Sequence, residues 1–234
     1  MIMKRVILKL SGEALFNEEK HAYDDELIRD VAGQVRELTE RGMNICIVIG
    51  GGNYWRGRTG DMIDRCKSDQ IGMLATVMNC IYVSEIFRAG GLETAIMTPY
   101  AYGTMTEVFS KDRANSHLKK GRVVFFAGGT GHPYFSTDTC ISLRAAEMEA
   151  DAIFLAKNID GVYDSDPAKN PDAKKFDVLT IDEMVEKQLA VIDMTASVMC
   201  MENKIPLRVF SLKEKDSIIK AFNDDFSGTR VTVE

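Results

Sequence analysis

The chain has 234 residues, 45% of them hydrophobic and 27% charged, with a formal net charge of −6. That is enough apolar material for one large core, and the mild acidity argues against a nucleic-acid binder with a concentrated basic face. The densest short basic run, Lys119, Lys120 and Arg122, is explained by a solvated helix end. Five scattered cysteines, none spaced C-x-x-C, indicate neither a disulfide framework nor a zinc site and suit a reducing compartment. Met1 to Leu10 mixes charged and apolar residues too early for a signal peptide. No apolar run reads as long enough to span a membrane. A cytoplasmic protein without membrane or nucleic-acid partners is expected.

In chain order, Arg5 to Leu10 reads as a strand. Asp24 or Asp25 can then cap a helix that aligns Leu27, Val31, Val35 and Leu38. Gly42 ends it, and Met43 to Ile49 is a near-continuous apolar strand of the buried parallel kind. Ile71, Leu74, Met78 and Ile81 mark a second helix, closed by Gly90 and Gly91 before a strand from Leu92 to Met97. Asp112 to Lys119 is expected to be helical and Arg122 to Ala127 a strand. A helix over Thr137 to Glu149 follows, aligning Ile141, Ala145 and Met148, and then a strand from Ala152 to Ala156. Asp164 to Asp177, polar and holding Pro167 and Pro171, reads as a surface loop. Helices near Ile181 to Lys187 and Met194 to Asn203, a strand at Leu207 to Phe210 and a short one around Val231 complete the chain. This alternation predicts an α/β fold with a mainly parallel central sheet covered by helices on both faces.

In such sheets, function gathers beyond the carboxyl ends of the strands. Here the first strand ends in Lys9-Leu10-Ser11-Gly12, the second in Gly50-Gly51-Gly52-Asn53, and a later one in Gly128-Gly129-Thr130-Gly131. Glycine lets backbone N–H groups turn toward an anion, and a following helix N-terminus adds its dipole. Gly50 to Gly52 alone could be a tight turn, and Lys9 a snorkelling surface lysine. Three glycine-rich strand ends in one sheet, one beside a lysine, point to a site for several phosphates. Neither the Rossmann fingerprint nor the P-loop pattern occurs in these loops.

These residues, with Val48-Ile49 and Arg56-Gly57, resemble the amino acid kinase superfamily and, more narrowly, its bacterial uridylate (UMP) kinase branch. Gly72 to Asn79 (GMLATVMN), Gly129 to Asp138 (GTGHPYFSTD) and Asp160-Gly161-Val162-Tyr163 with Asp166-Pro167 carry the narrower likeness, which runs along essentially the whole chain. It implies a single three-layer α/β/α domain, with an acceptor-binding part over roughly residues 1–150 and an ATP-binding part over roughly 151–234. It also implies transfer of the γ-phosphoryl of ATP to UMP, with Mg²⁺ held mainly through ATP oxygens, and a homohexamer built from dimers.

The same resemblance distributes roles. Lys9 would sit on the transferring phosphoryl, with Asp193 orienting it and helping to organise the metal-phosphate. Leu10, Ser11, Gly12, Gly52 and Arg56 would surround the donor phosphates, and Gly51 would serve the acceptor. Lys157, Asn158, Tyr163 and Asp166 would take the adenine and ribose side. Asp69 would hold the UMP ribose, and Thr130, Gly131, His132, Pro133, Tyr134, Phe135, Ser136, Thr137 and Asp138 its phosphate and base. Local explanations stand beside two of these: Asp69 as a helix N-cap, and Asp138 as a first-turn acid complementing the helix dipole. His132 stands where many relatives carry asparagine. The stretch between Phe16 and Tyr23 lacks the glycine pair of relatives that respond to GTP, so little GTP activation is expected. A relative acting on a carboxylate or carbamate is disfavoured by the acceptor loop. A non-enzymatic regulator on the same fold would be expected to lack Lys9 or Asp193.

Overall fold

The computed structural model describes residues 3–17, 21–55, 63–189 and 191–233. Glu18, Glu19, Lys20 and Arg56 lie outside the described residues. At the centre is β1 (Arg5–Leu10), flanked in parallel by β4 (Asn44–Ile49) and β8 (Ala152–Lys157). Outward from β4 run β7 (Val123–Phe126), β5 (Thr94–Thr98) and the two-residue β6 (Glu107–Val108). Outward from β8 run β12 (Leu207–Ser211), β13 (Thr229–Thr232) and β11 (Val178–Thr180). Every neighbouring pair in this nine-stranded sheet is parallel except β12 with β13. Two hairpins stand apart: β2 (Phe16–Asn17) with β3 (Ala22–Tyr23), and β9 (Val162–Tyr163) with β10 (Lys175–Phe176). The second hairpin shows that the segment expected as a plain loop from 164 to 177 returns to the fold at its end.

Side-chain alternation along β1 builds both cores. Val6, Leu8 and Leu10 face a cluster with α1 (Asp25–Glu40), α2 (Arg65–Ala89) and α7 (Ser217–Asn223). Ile7 faces a second cluster with α3 (Lys111–Lys119), α4 (Thr137–Glu147), α5 (Ile181–Glu186) and α6 (Met194–Glu202). Three layers result, as expected. Since alternate residues of a strand share a face, Lys9 projects to the same side as Ile7, toward α4.

α2 differs from the sequence reading in two ways. It starts at Arg65 behind an Asp64 cap, so Asp69 lies inside the helix and is not its N-cap. Its Ile71, Leu74 and Met78, whose spacing marks the helix in the sequence, are exposed together with Tyr82. The buried face carries Ser68, Thr76, Asn79 and Ser84 among its apolar residues. This 25-residue helix is long and apolar enough by composition to cross a membrane, correcting the expectation that no segment reaches that length. Its packing on the sheet through Val77, Cys80, Val83 and Phe87 makes it a core-layer helix here.

α7 was not evident from sequence because its cap is not local. Asp216, at its N-cap position, is left-handed and makes no side-chain cap bond. Gln34 of α1 supplies the acceptor instead, taking Ile218 N–H at 2.9 Å and Ile219 N–H at 3.4 Å. Its own amide donates to Asp30 at 2.7 Å, which fixes its orientation. Gln34→Leu, which keeps the bulk and removes the acceptor, should destabilise the chain by about 1–2 kcal/mol. Chemical denaturation compared with the wild type checks this, and turnover should be unchanged.

Candidate active site

The carboxyl ends of β1, β4 and β8 meet around a cavity of about 400 Å³. Lys9, Gly12, Gly51, Thr137 and Lys157 are among the residues that line it. The close fit of the glycine loops explains the residue type. A Cβ on Gly12 would lie 2.3 Å from the Gly50 carbonyl oxygen, and one on Gly51 would lie 2.8 Å from that of Gly72. Side chains are excluded there by backbone, which cannot yield cheaply. Leu10 does not belong to the site: it is wholly buried in the α1-side core, and its carbonyl accepts the Gly50 N–H at 3.1 Å.

Lys9 Nζ forms an ion pair with Asp138 Oδ1, the two side chains being 14% and 20% exposed. Such enclosure makes a lone charge costly and a paired one tolerable. The carboxylate that meets Lys9 is therefore Asp138, not Asp193. Asp193 caps α6, accepting the Ala196 N–H at 2.9 Å, and takes hydrogen bonds from the Ser136 and Thr139 hydroxyls. Ser136 in turn caps α4, accepting from the Asp138 N–H at 2.9 Å. Asp193 is linked to Lys9 through Ser136 and the first turn of α4.

Lys157 projects from β8 to the same face as Lys9 and donates to the Val191 carbonyl. Burial pushes its ammonium down to about 8, helped by the nearby Lys9 charge and opposed by Asp138. Lys157 also lines a second cavity of about 420 Å³ with Tyr163, Asp166, Pro167 and Leu189, so the two hollows adjoin at one lysine. Tyr163 OH donates to Asp160 at 2.8 Å. Asp166 lines that cavity while its carboxylate also accepts the Ala168 N–H at 3.0 Å, in a local turn. Asn158 opens onto the first cavity.

The acceptor-loop residues are held by bonds to α2 and to the segment after β5. Asp69 Oδ2 accepts the Tyr134 N–H and the Arg65 Nε–H, both at 2.8 Å, tying the loop to α2. Thr130 Oγ1 accepts the His132 N–H at 3.2 Å, and His132, Tyr134 and Phe135 are exposed. Gly131 is left-handed and tucked against Pro99, while Tyr100 OH donates to its carbonyl at 2.5 Å. Pro133 lies between His132 and Tyr134 on the same loop. Thr137 faces the Lys9 cavity and so stands apart from the rest of its predicted group. A larger hollow of about 730 Å³ lies elsewhere, between α2, β5 and α3. Its Arg88 and Arg122 are already paired with Glu85 and Glu93.

The amino acid kinase family matches residues 4–211. Among solved structures, UMP kinase from Ureaplasma parvum is 33% identical, with a TM-score of 0.93, over 99% of this chain and 100% of that one. UMP kinase from Bacillus anthracis is 32% identical, also with a TM-score of 0.93, over 99% of this chain and 97% of that one. A Lys9 held by Asp138 between glycine-lined strand ends is thus the centre of a familiar phosphotransferase fold, and the chain belongs to the amino acid kinase family.

Proposed function

We propose that the chain transfers the γ-phosphoryl of ATP to UMP, giving UDP and ADP in cytoplasmic pyrimidine nucleotide biosynthesis. The observation that carries this reading is the pair of cavities joined at Lys157. One is glycine-walled and holds the Lys9 and Lys157 ammonium groups with Glu13; the other is lined by an aromatic ring and apolar side chains, as a base requires. In this reading the triphosphate runs from the Tyr163 side, past Lys157, to Lys9, dividing the chain into the acceptor and ATP parts expected from sequence. The acceptor lies toward Asp69 and the loop from Thr130 to Ser136. In-line transfer needs alignment and charge neutralisation more than covalent chemistry. Lys9 offsets the charge that moves with the phosphoryl, and Asp138 holds Lys9 in place.

Among the described residues, no three carboxylate, histidine or cysteine side chains converge on one point. In this reading Mg²⁺ is carried mainly on ATP oxygens and water. The exposed stripe of Ile71, Leu74, Met78 and Tyr82 on α2 is covered, in the same reading, by a second copy within a homohexamer.

A coupled ADP-release assay should show UMP phosphorylated far faster than CMP, AMP or small carboxylates, because unpaired polar groups in a base-reading site discriminate strongly. Equal rates with CMP would remove the uridylate assignment. Lys9→Ala should lower kcat by roughly 10²-fold or more, the scale of losing a preorganised electrostatic contact, while circular dichroism stays native. Near-normal turnover in a folded variant would refute the role.

The lowered Lys157 value gives a pH dependence with a definite sign. Folding weakens its hold on the proton, so the burial penalty is present below about 8 and is relieved as pH rises toward the ordinary lysine value of 10.5. A polyphosphate favours the ammonium, so binding takes up a proton above about pH 8. Affinity for an ATP analogue should therefore fall between pH 8 and 9.5, by up to about tenfold per unit. Lys157→Met should bind more weakly at pH 7 and lose most of that slope.

A further inference from the structure

The acceptor loop begins with a stretch that cannot hold its own shape. Gly128, Gly129 and Gly131 are all left-handed, and a glycine backbone gives up more freedom on ordering than any other. Anchors outside the loop have to fix it. At its start, Thr76 of α2 accepts the Gly128 N–H at 2.8 Å; farther on, Asp69 accepts the Tyr134 N–H at 2.8 Å. Between these two points the loop is held by Tyr100.

Tyr100 follows β5, and its side chain is half-exposed, yet its hydroxyl turns inward to donate to the carbonyl of the buried Gly131 at 2.5 Å. Its own backbone is pinned, because the wholly buried Thr98 donates its hydroxyl to the Tyr100 carbonyl at 2.7 Å. Gly131 can only be glycine, since a Cβ there would lie 2.7 Å from Pro99 Cβ. With no side chain to hold it, the Gly131-His132 peptide takes its orientation from the bond to Tyr100. Across a trans peptide the N–H points opposite to the carbonyl. The His132 N–H is therefore directed back into the loop, where Thr130 Oγ1 accepts it at 3.2 Å. One phenol thus sets a peptide, and that peptide sets the Thr130 hydroxyl.

We propose that Tyr100 is a positioning residue for the phosphoryl acceptor, holding the Gly131-His132 peptide so that the loop from Thr130 to Ser136 keeps its binding shape. With this bond broken, the glycine stretch is tied only at Gly128 and Tyr134, and the segment between them is free to turn over. The assignment rests on reading this loop as the acceptor side. It is independent of which base the acceptor carries.

The test is calorimetric titration of the full chain with UMP and, separately, with AMP-PNP. Tyr100→Phe keeps the ring and removes only the hydroxyl. It should weaken UMP binding by about three- to tenfold, the scale of one net hydrogen bond, with AMP-PNP affinity changed by less than about twofold. A folded Tyr100→Phe with wild-type UMP affinity overturns the proposal. So does an equal loss for both ligands, which is the mark of a merely structural role. If the wild-type chain binds AMP-PNP and phosphorylates CMP in place of UMP, the uridylate assignment falls alone, and Tyr100→Phe is then judged on CMP affinity by the same two outcomes.

Discussion

Lys9 is an ammonium placed at the end of the central strand, with parallel neighbours on both sides, and most of the site follows from accommodating it. Strand pairing sets Lys9 beside Val48 and Leu155, so its side chain leaves the sheet between the glycine turn after β4 and the lysine that ends β8. So enclosed a charge needs a counter-charge, and α4 brings Asp138 over the sheet to provide it. Ser136 caps that helix and ties its first turn to Asp193, the cap of α6. A chain of caps thus transmits the position of two helices to one ammonium.

Two lysines, Lys9 and Lys157, share the cleft with two carboxylates, Asp138 on Lys9 and Glu13 in the cavity wall. Lys157, farther from Asp138's direct reach, bears the cost: its affinity for a proton falls because burial penalises the charged form. The glycine loops are neutral but polar, and Cβ atoms are kept out of them by backbone oxygens. The cleft thus sets two ammonium groups against a neutral, polar glycine wall that leaves no room for side chains.

Much of this was legible in the chain. β1, β4, β7 and β8 are short apolar runs ending in glycine or lysine, and α1 and α4 carry ordinary periodic faces behind local caps. What stayed hidden depends on distant partners. α7 is capped by Gln34 from α1, so no local start signal exists. Asp138 looks like a first-turn acid, and only the fold shows that Lys9 lies beneath it. Asp193 caps its own helix and takes the Ser136 and Thr139 hydroxyls of α4, a link between distant segments that no local pattern announces. In α2 the apolar stripe at helical spacing is the outward one.

That inversion has a cause. A helix that lays three glycine-rich strand ends in order must turn hydrogen-bonding groups toward them, and it does: Asn79 reaches Gly50, Thr76 accepts the Gly128 N–H at 2.8 Å, and Asp69 takes the acceptor loop at Tyr134. With its inner face given partly to polar work, the helix places Ile71, Leu74, Met78 and Tyr82 outside, where water is a poor neighbour. Covering that stripe would restrain the same rigid rod that orders the loops. Tyr82 makes the connection physical, since it is exposed on one side and stacked on the other against Tyr23, whose hydroxyl bonds Asn79. A contact at the surface of α2 therefore lies two side chains from the Gly50-Gly51 peptide in the wall of the Lys9 cavity.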